Sequence, residues 1–204
     1  MAFELATAPP AKDRRVRRSR SALMAAAVAL VAERGTAAVA LSEIAEAADV
    51  SRQVVYQQFG DRDALLLEAA LDLARRELLP DLGDAALTGR DRTLAMARHF
   101  ARHREFYRAM LTGSCAFALN KALSGLLIPV NRRSVQRGRG DLDARTVDDL
   151  AVFLTGGWAA GVNAWVVEGA EPLDPGEFTD RLMRMMPIVT AGIHRHPPDS
   201  EDPR

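Results

Sequence analysis

Arg52, Gln53, Tyr56 and Gln57 fall within the stretch SRQVVYQQF, and each carries a group able to hydrogen-bond with nucleic acid. If this stretch is helical, residues three and four apart are neighbours, so the four side chains share one side. A guanidinium such as Arg52 can meet guanine bidentately in the major groove, and the amides of Gln53 and Gln57 can meet adenine. The Tyr56 phenol can donate to a phosphate oxygen, and Val54 can pack on a thymine methyl. Downstream, Arg62 at the start of the next helix would join free first-turn amides as a phosphate seat. Upstream, KDRRVRRSR holds Lys12, Arg14, Arg15, Arg17 and Arg18, a cationic arm suited to phosphates or the minor groove. The chemistry implied is recognition of double-stranded DNA.

Short helices must present these groups. Ser51 is placed to cap a helix from Arg52 to Phe59; Gly60 ends it, and Asp61 caps a longer helix from Arg62 to Leu79, stopped by Pro80. Before it, a helix over Leu41 to Ala48 leads into a turn at Asp49, and an alanine-rich helix runs from Ser19 to Arg34, ended by Gly35. Leu30, Ile44, Ala45, Ala48, Val55 and Phe59 supply a small core for this head. So small a core needs support from the larger helical domain beyond Pro80. Phe59→Ala should cost ~3–5 kcal/mol if the ring is buried.

The rest of the chain also has helical patterning, with spans at Arg92–Met110, Ser114–Val135, Ala144–Glu168 and Glu177–His194. Pro129 should kink or split the second of these. Period-two alternation between turns is missing, so the fold class is all-α, without a sheet. The expected organisation is a flexible basic arm over 1–18 and a three-helix head with a helix-turn-helix over 19–79. A helical ligand-binding and dimerisation body comes next over 80–196, then a disordered tail over 197–204.

The 27 basic and 27 acidic residues balance, so the chain is no bulk polycation; the asymmetry is local. Cys115 stands alone, which excludes an intrachain disulfide and a multi-cysteine metal centre. The N-terminus does not resemble a secretory signal, and no run of ~18 uncharged apolar residues is expected to span a membrane. A cytoplasmic protein with no membrane partner fits these features. His99 and His103 are four apart, but Arg98, Arg102 and Arg104 oppose a cation, so no metal is expected. Ser114 lacks the strained strand-to-helix turn of a hydrolytic nucleophile, and Gly156, Gly157 and Gly161 lie within a helix rather than a phosphate-binding loop. Neither catalytic residues nor cofactors are expected.

The segments ALVAERG, LSEIAEAADVS and VYQQFGDRDALL together resemble the N-terminal DNA-binding domain of the tetracycline-repressor (TetR) family of bacterial transcription regulators. The resemblance covers Ser19 to Leu79. It implies that Ile44 and Ala45 anchor the first motif helix, that Tyr56 and Phe59 mark the recognition helix, and that Tyr56 and Arg62 contact phosphates. Asp49 departs from the family's usual turn glycine, though Asp tolerates left-handed geometry. Val39 and Ala40 replace a hydroxyl before the first motif helix, and Val54 replaces another. A missing hydroxyl cap costs ~1 kcal/mol.

The same resemblance implies a homodimer whose last two helices form a four-helix interface, bound to a near-palindromic operator. It also implies a body that encloses an effector pocket. Independently, Gly157 and Gly161 interrupt a helix at ~1 kcal/mol each relative to alanine, which suits close approach of another backbone. Ala164 extends that small surface, and Leu182, Met185 and Val189 form an apolar stripe on the last helix. Phe100, His103, Phe106, Met110, Phe117, Asn120, Trp158 and Asn163 are the candidates to line a pocket for an unidentified apolar or amphipathic small molecule. The functional expectation is a repressor released by that ligand. The alternative is a helical dimeric ligand-binding or scaffold protein without operator reading; Arg52, Tyr56 and Arg62 favour the former.

Overall fold

The computed structural model describes residues 11–192 except Arg139, with side chains described from Arg14 to Pro187. Among these residues there are only helices: α1 (Ala11–Arg34), α2 (Leu41–Ala47), α3 (Arg52–Phe59), α4 (Arg62–Glu77) and α5 (Leu79–Gly83), then α6 (Gly89–Arg102), α7 (Arg104–Thr112), α8 (Ala116–Gly138), α9 (Ala144–Glu168) and α10 (Pro175–Gly192). The all-α expectation holds. The N-terminal helices α1–α4 contain a helix-turn-helix, and the later helices form a bundle.

Local chemistry sets the boundaries in the N-terminal unit. Asp49 takes a left-handed conformation at φ 52°, as an Asx residue can, and closes the turn between α2 and α3. Gly60, at φ 81°, ends α3 where a side chain would be strained. Asp61 caps α4 by accepting the Ala64 N–H at 2.8 Å. Ser51 occupies the cap position of α3, but its hydroxyl makes no capping bond. At α2 the hydroxyl is missing as expected, and the Glu43 carboxylate instead reaches back to accept the Ala40 N–H at 3.0 Å.

Several boundaries differ from the sequence reading. The basic segment is not a loose arm from residue 11 onward: α1 begins at Ala11, because Ala, Lys and Arg favour helix and no breaker separates them from Ser19. Residues 1–10 and the tail from residue 193 lie outside the described residues. Pro80 does not stop α4, which ends at Glu77; it sits in the first turn of α5, where its missing N–H leaves no bond unmade. The expected helix over 92–110 is two helices that meet at His103 (φ −108°, ψ 28°). No Pro or Gly marks this break. It arises because α6 packs on α5, α9 and α10, whereas α7 packs on α1, α8 and α9. Pro129 neither splits nor ends α8, since it and Gly125, whose carbonyl loses its partner, both face solvent.

A continuous apolar core joins the two parts. Leu23, Ala27 and Val31 of α1 and Ile44 and Val55 of α2 and α3 are buried with Leu65, Leu66, Ala69, Ala70, Leu73 and Ala74 of α4. The same core passes into Phe106, Tyr107 and Met110 of α7 and Leu119 of α8. Helix α4 touches α1 and α3 on one side and α8 on another, so the small N-terminal core is supported from outside. Arg104 is buried at the end of α9, where it donates to Val166 O at 3.1 Å and Gly169 O at 2.6 Å and pairs with Glu171 at 2.9 Å. A cation there satisfies carbonyls left free at the helix end.

Helix α9 overturns the expectation that no segment is long and apolar enough to span a membrane: by length and composition this one is. Leu150 to Val167 carries no charged residue. Its hydropathy has two sources. Ala151, Thr155, Val162, Trp165 and Val166 face the core, while Val152 and Phe153 leave it on the opposite side, 55% and 65% exposed.

Phe59, expected in the core, is only half-buried, as are Leu30 and Ala48, whereas Ile44 is fully enclosed. Ile44→Ala should therefore destabilise the protein by ~2–5 kcal/mol, and Phe59→Ala by less than the ~3–5 kcal/mol of an enclosed phenylalanine. Urea unfolding of the two variants would check the order; a larger loss for Phe59→Ala would contradict it.

Candidate nucleic-acid interface and ligand cavity

Val55 points into the core, and that orientation turns the rest of α3 outward. Ser51, Arg52, Gln53 and Gln57 are exposed or nearly so, Tyr56 is 59% exposed and Val54 is half-buried. Arg52 and Tyr56 come together with Ala40, Leu41 and Ser42 around a concavity of about 270 Å³ at the start of α2. Ser42 is absent from the sequence candidates; its only signal is its place in the first turn beside Ala40. A guanidinium, a phenol and a hydroxyl around one hollow suit a phosphate or a base edge.

Three side chains behind this surface hold α3 in place. Arg20 donates to Gln58 O at 3.1 Å, pairs with Glu68 at 3.1 Å and lies 4.4 Å over the Phe59 ring. Gln58 donates to the Ser19 hydroxyl at 2.9 Å. Sequence spacing groups Arg20 with the basic run, but the fold uses it as a clasp joining α1, α3 and α4. Arg14, Arg15, Arg17 and Arg18 are exposed along α1, whereas the Lys12 side chain lies outside the described residues. Arg62 is engaged with Asp63, at 2.7 and 2.8 Å, and Asp61 takes one first-turn amide. A phosphate at the start of α4 would have to compete with both carboxylates.

The bundle contains a cavity of about 220 Å³ between α6, α8 and α9. Of the sequence candidates, Phe100, Asn120, Trp158 and Asn163 line it. The other four do not. Phe106 and Met110 are fully packed in the core shared with α1 and α4, and Phe117 projects from α8 at 82% exposure. His103 turns to Glu77 of α4, at 2.7 Å. Spacing cannot separate these cases, because every helix has more than one buried side. Leu82, Met96, Leu127, Asn131 and Thr155 also line the cavity, and nothing in their spacing distinguishes them from ordinary core positions. Its polar groups are paired across helices: Asn163 donates to Asn120 at 2.7 Å and Asn131 to Thr155 at 2.8 Å. The remaining wall is apolar, so the cavity suits a mainly apolar guest with one or two polar atoms.

Beside Glu77, His99 is buried and its Nε2 lies 2.8 Å from the Tyr107 hydroxyl. Burial foremost, then the His103 charge, outweighs the pull of Glu77 and brings His99 down to about 4, so the ring is neutral near pH 7. Burial pushes the Glu77 carboxyl up, yet the hydrogen bond and charge of His103 prevail and hold it below its ordinary value.

Residues 23–69 match the family model of bacterial regulatory proteins, tetR family. The match lies within α1–α4, so the N-terminal unit is similar to the TetR family's N-terminal domain. The likeness of fold to TetR-family proteins extends over most of the chain. A crystal structure of a TetR-family transcriptional regulator from Rhodococcus sp. superposes with a TM-score of 0.61 at 18% identity, covering 85% of this chain and 98% of that one. The TetR-family repressor AlkX from Dietzia sp., implicated in biodegradation of n-alkanes, gives 0.56 at 20% identity, with 83% and 97% covered. NalD, the secondary repressor of the MexAB-OprM multidrug efflux pump in Pseudomonas aeruginosa, gives 0.53 at 20% identity, with 86% and 96% covered. No curated protein matches the sequence.

On α9, Gly156, Gly157, Ala160 and Ala164 continue the exposed apolar strip begun by Val152 and Phe153. Met185 of α10 is half exposed. At Gly161 a Cβ would meet Leu182 of the same chain at 3.8 Å, an ordinary contact distance. Leu182 likewise packs on the chain's own core. Val189 lies in α10, its side chain outside the described residues.

Proposed function

We propose that the protein is a cytoplasmic homodimeric repressor that reads a near-palindromic operator through α3 and is released by a small apolar or amphipathic ligand. The observation that carries the reading is the outward row of Arg52, Gln53, Tyr56 and Gln57 on a helix anchored by Val55, within a TetR-like domain. Arg52 and Gln53 would contact base edges, and Tyr56 and the arginines of α1 the phosphates. Selection of bound genomic fragments should return one palindrome. Against single-base variants of it, Arg52→Ala should lose ~1–3 kcal/mol at one defined position, while Tyr56→Phe weakens every variant evenly. Equal affinity for selected and scrambled duplexes would sink the proposal.

Pairing would place the exposed strip of α9 against its copy, with Met185 at the margin. A strip containing glycine and alanine lets helices approach closely, and two-fold pairing sets two recognition helices about a DNA turn or more apart. Phe153→Glu should put a charge into this contact and yield a folded monomer in sedimentation, with operator affinity falling in step. A dimer that survives the substitution would move the interface elsewhere.

The ligand would enter the cavity of about 220 Å³, which is smaller than the ~300–1,000 Å³ typical of ligand pockets. A guest would then have to spread α6 and α8, and α8 bears on α4. Such a ligand releases DNA only if it binds the spread arrangement more tightly. Relatives named for n-alkane biodegradation and for multidrug efflux fit an apolar guest. Linear alkanes and lipophilic drugs should quench Trp158 and lower operator affinity, and Leu127→Trp, which fills the cavity, should abolish both effects. Quenching that persists in Leu127→Trp would place the ligand outside this cavity.

A further inference from the structure

We propose that Glu77, His99 and His103 form a binding site for one divalent first-row transition ion, Zn²⁺ foremost, joining the last turn of α4 to α6. Each of Glu77, His99 and His103 offers one ligand atom, and these atoms lie within 4.8 Å of one another. Glu77 Oε2 is 2.7 Å from His103 Nε2 and 3.8 Å from His99 Nδ1. Tetrahedral ligands with bonds of ~2.1 Å stand roughly 3.4 Å apart, so an ion needs only small side-chain movements here.

A second feature points to the same spot. His99 Nδ1 is buried without a hydrogen-bond partner, and the His99 side chain is only 3% exposed. The buried nitrogen faces a carboxylate across a gap too long for a hydrogen bond. An ion in that gap would satisfy both. Coordination through Nδ1 fixes the ring proton on Nε2, which donates to the Tyr107 hydroxyl at 2.8 Å. A histidine ligand ordinarily has such an outer partner to hold its orientation.

Two imidazoles and one carboxylate are a donor set for Zn²⁺ and related ions, with a fourth position left for water or a small ligand. The flanking arginines do not block the site in the fold. Arg104 is turned into the end of α9, and Arg98 is exposed. Arg102 approaches Glu77 to 3.7 Å, but its side chain is 68% exposed and free to swing into water.

The test uses the full chain with His194→Ala and His196→Ala in every variant, which removes the other two histidines. After chelator treatment and dialysis, Zn²⁺ is titrated against a chromophoric competitor. One ion per chain is expected. Glu77→Gln and His103→Gln should each loosen binding by about tenfold or more. Arg102→Gln, which removes the opposing charge, should tighten it several-fold. Co²⁺ should give a visible ligand-field band that His103→Gln changes. Helical circular dichroism confirms that each variant is folded; Glu77 and His103 carry the test because both are partly exposed, whereas His99 is fully packed. No saturable binding by about 100 µM Zn²⁺ would overturn the proposal. So would binding that both Glu77→Gln and His103→Gln leave unchanged.

Discussion

Helix α4 is buried from two directions, and the arrangement of the molecule depends on it. Leu65, Leu66, Ala69, Ala70, Leu73 and Ala74 leave no room for a solvated apolar face. Burial on this scale stabilises by roughly 1.5–3 kcal/mol for each large apolar side chain removed from water. Helices α2 and α3, of seven and eight residues, are too short to supply a comparable core alone. The packing of α1 and α3 on α4, and that of α4 on α8, makes one continuous packed body. Displacement of α8 would thus be felt by the helix that carries the α3 turn.

The outward surface of α3 obeys a complementary rule. A helix of eight residues has one buried anchor, Val55, so most of its side chains remain available to solvent. Such a helix would be marginal in isolation. Its orientation instead comes from Arg20, which joins a carbonyl, a carboxylate and an aromatic face, and from the Ser19–Gln58 bond. Charge around α1 and α3 thus has two uses. Arg14, Arg15, Arg17 and Arg18 remain exposed to solvent, while Arg20 is consumed in holding the fold.

Helix α9 shows why hydropathy alone is an ambiguous signal. Its uncharged run is long enough for a bilayer, yet one side packs on α7 and α8 and the other exposes Val152, Phe153 and small residues. A helix apolar all round needs an apolar environment on every side. A second protein surface answers that need as well as lipid does. At Gly156 and Gly157 an added Cβ would meet nothing within 4 Å.

Much of the local structure was legible in the residues themselves. Asp49, Gly60 and Asp61 bound the helix-turn-helix through backbone and capping chemistry that acts over a few residues. The inward turn of Val55 and outward turn of Arg52, Gln53 and Gln57 follow from helical period. Four of the eight pocket candidates line the cavity, a division that residue type and spacing do not make. The break at His103, the exposure of Phe117 and the meeting of Glu77 with His99 and His103 were not legible there either. Each depends on which neighbour a helix side meets, and periodicity says that a side is apolar without saying what covers it. The ends of α2, α3 and the start of α4 were determined by local sequence; the break at His103 and the partners of each helix were decided by tertiary packing, because burial acts between segments distant along the chain.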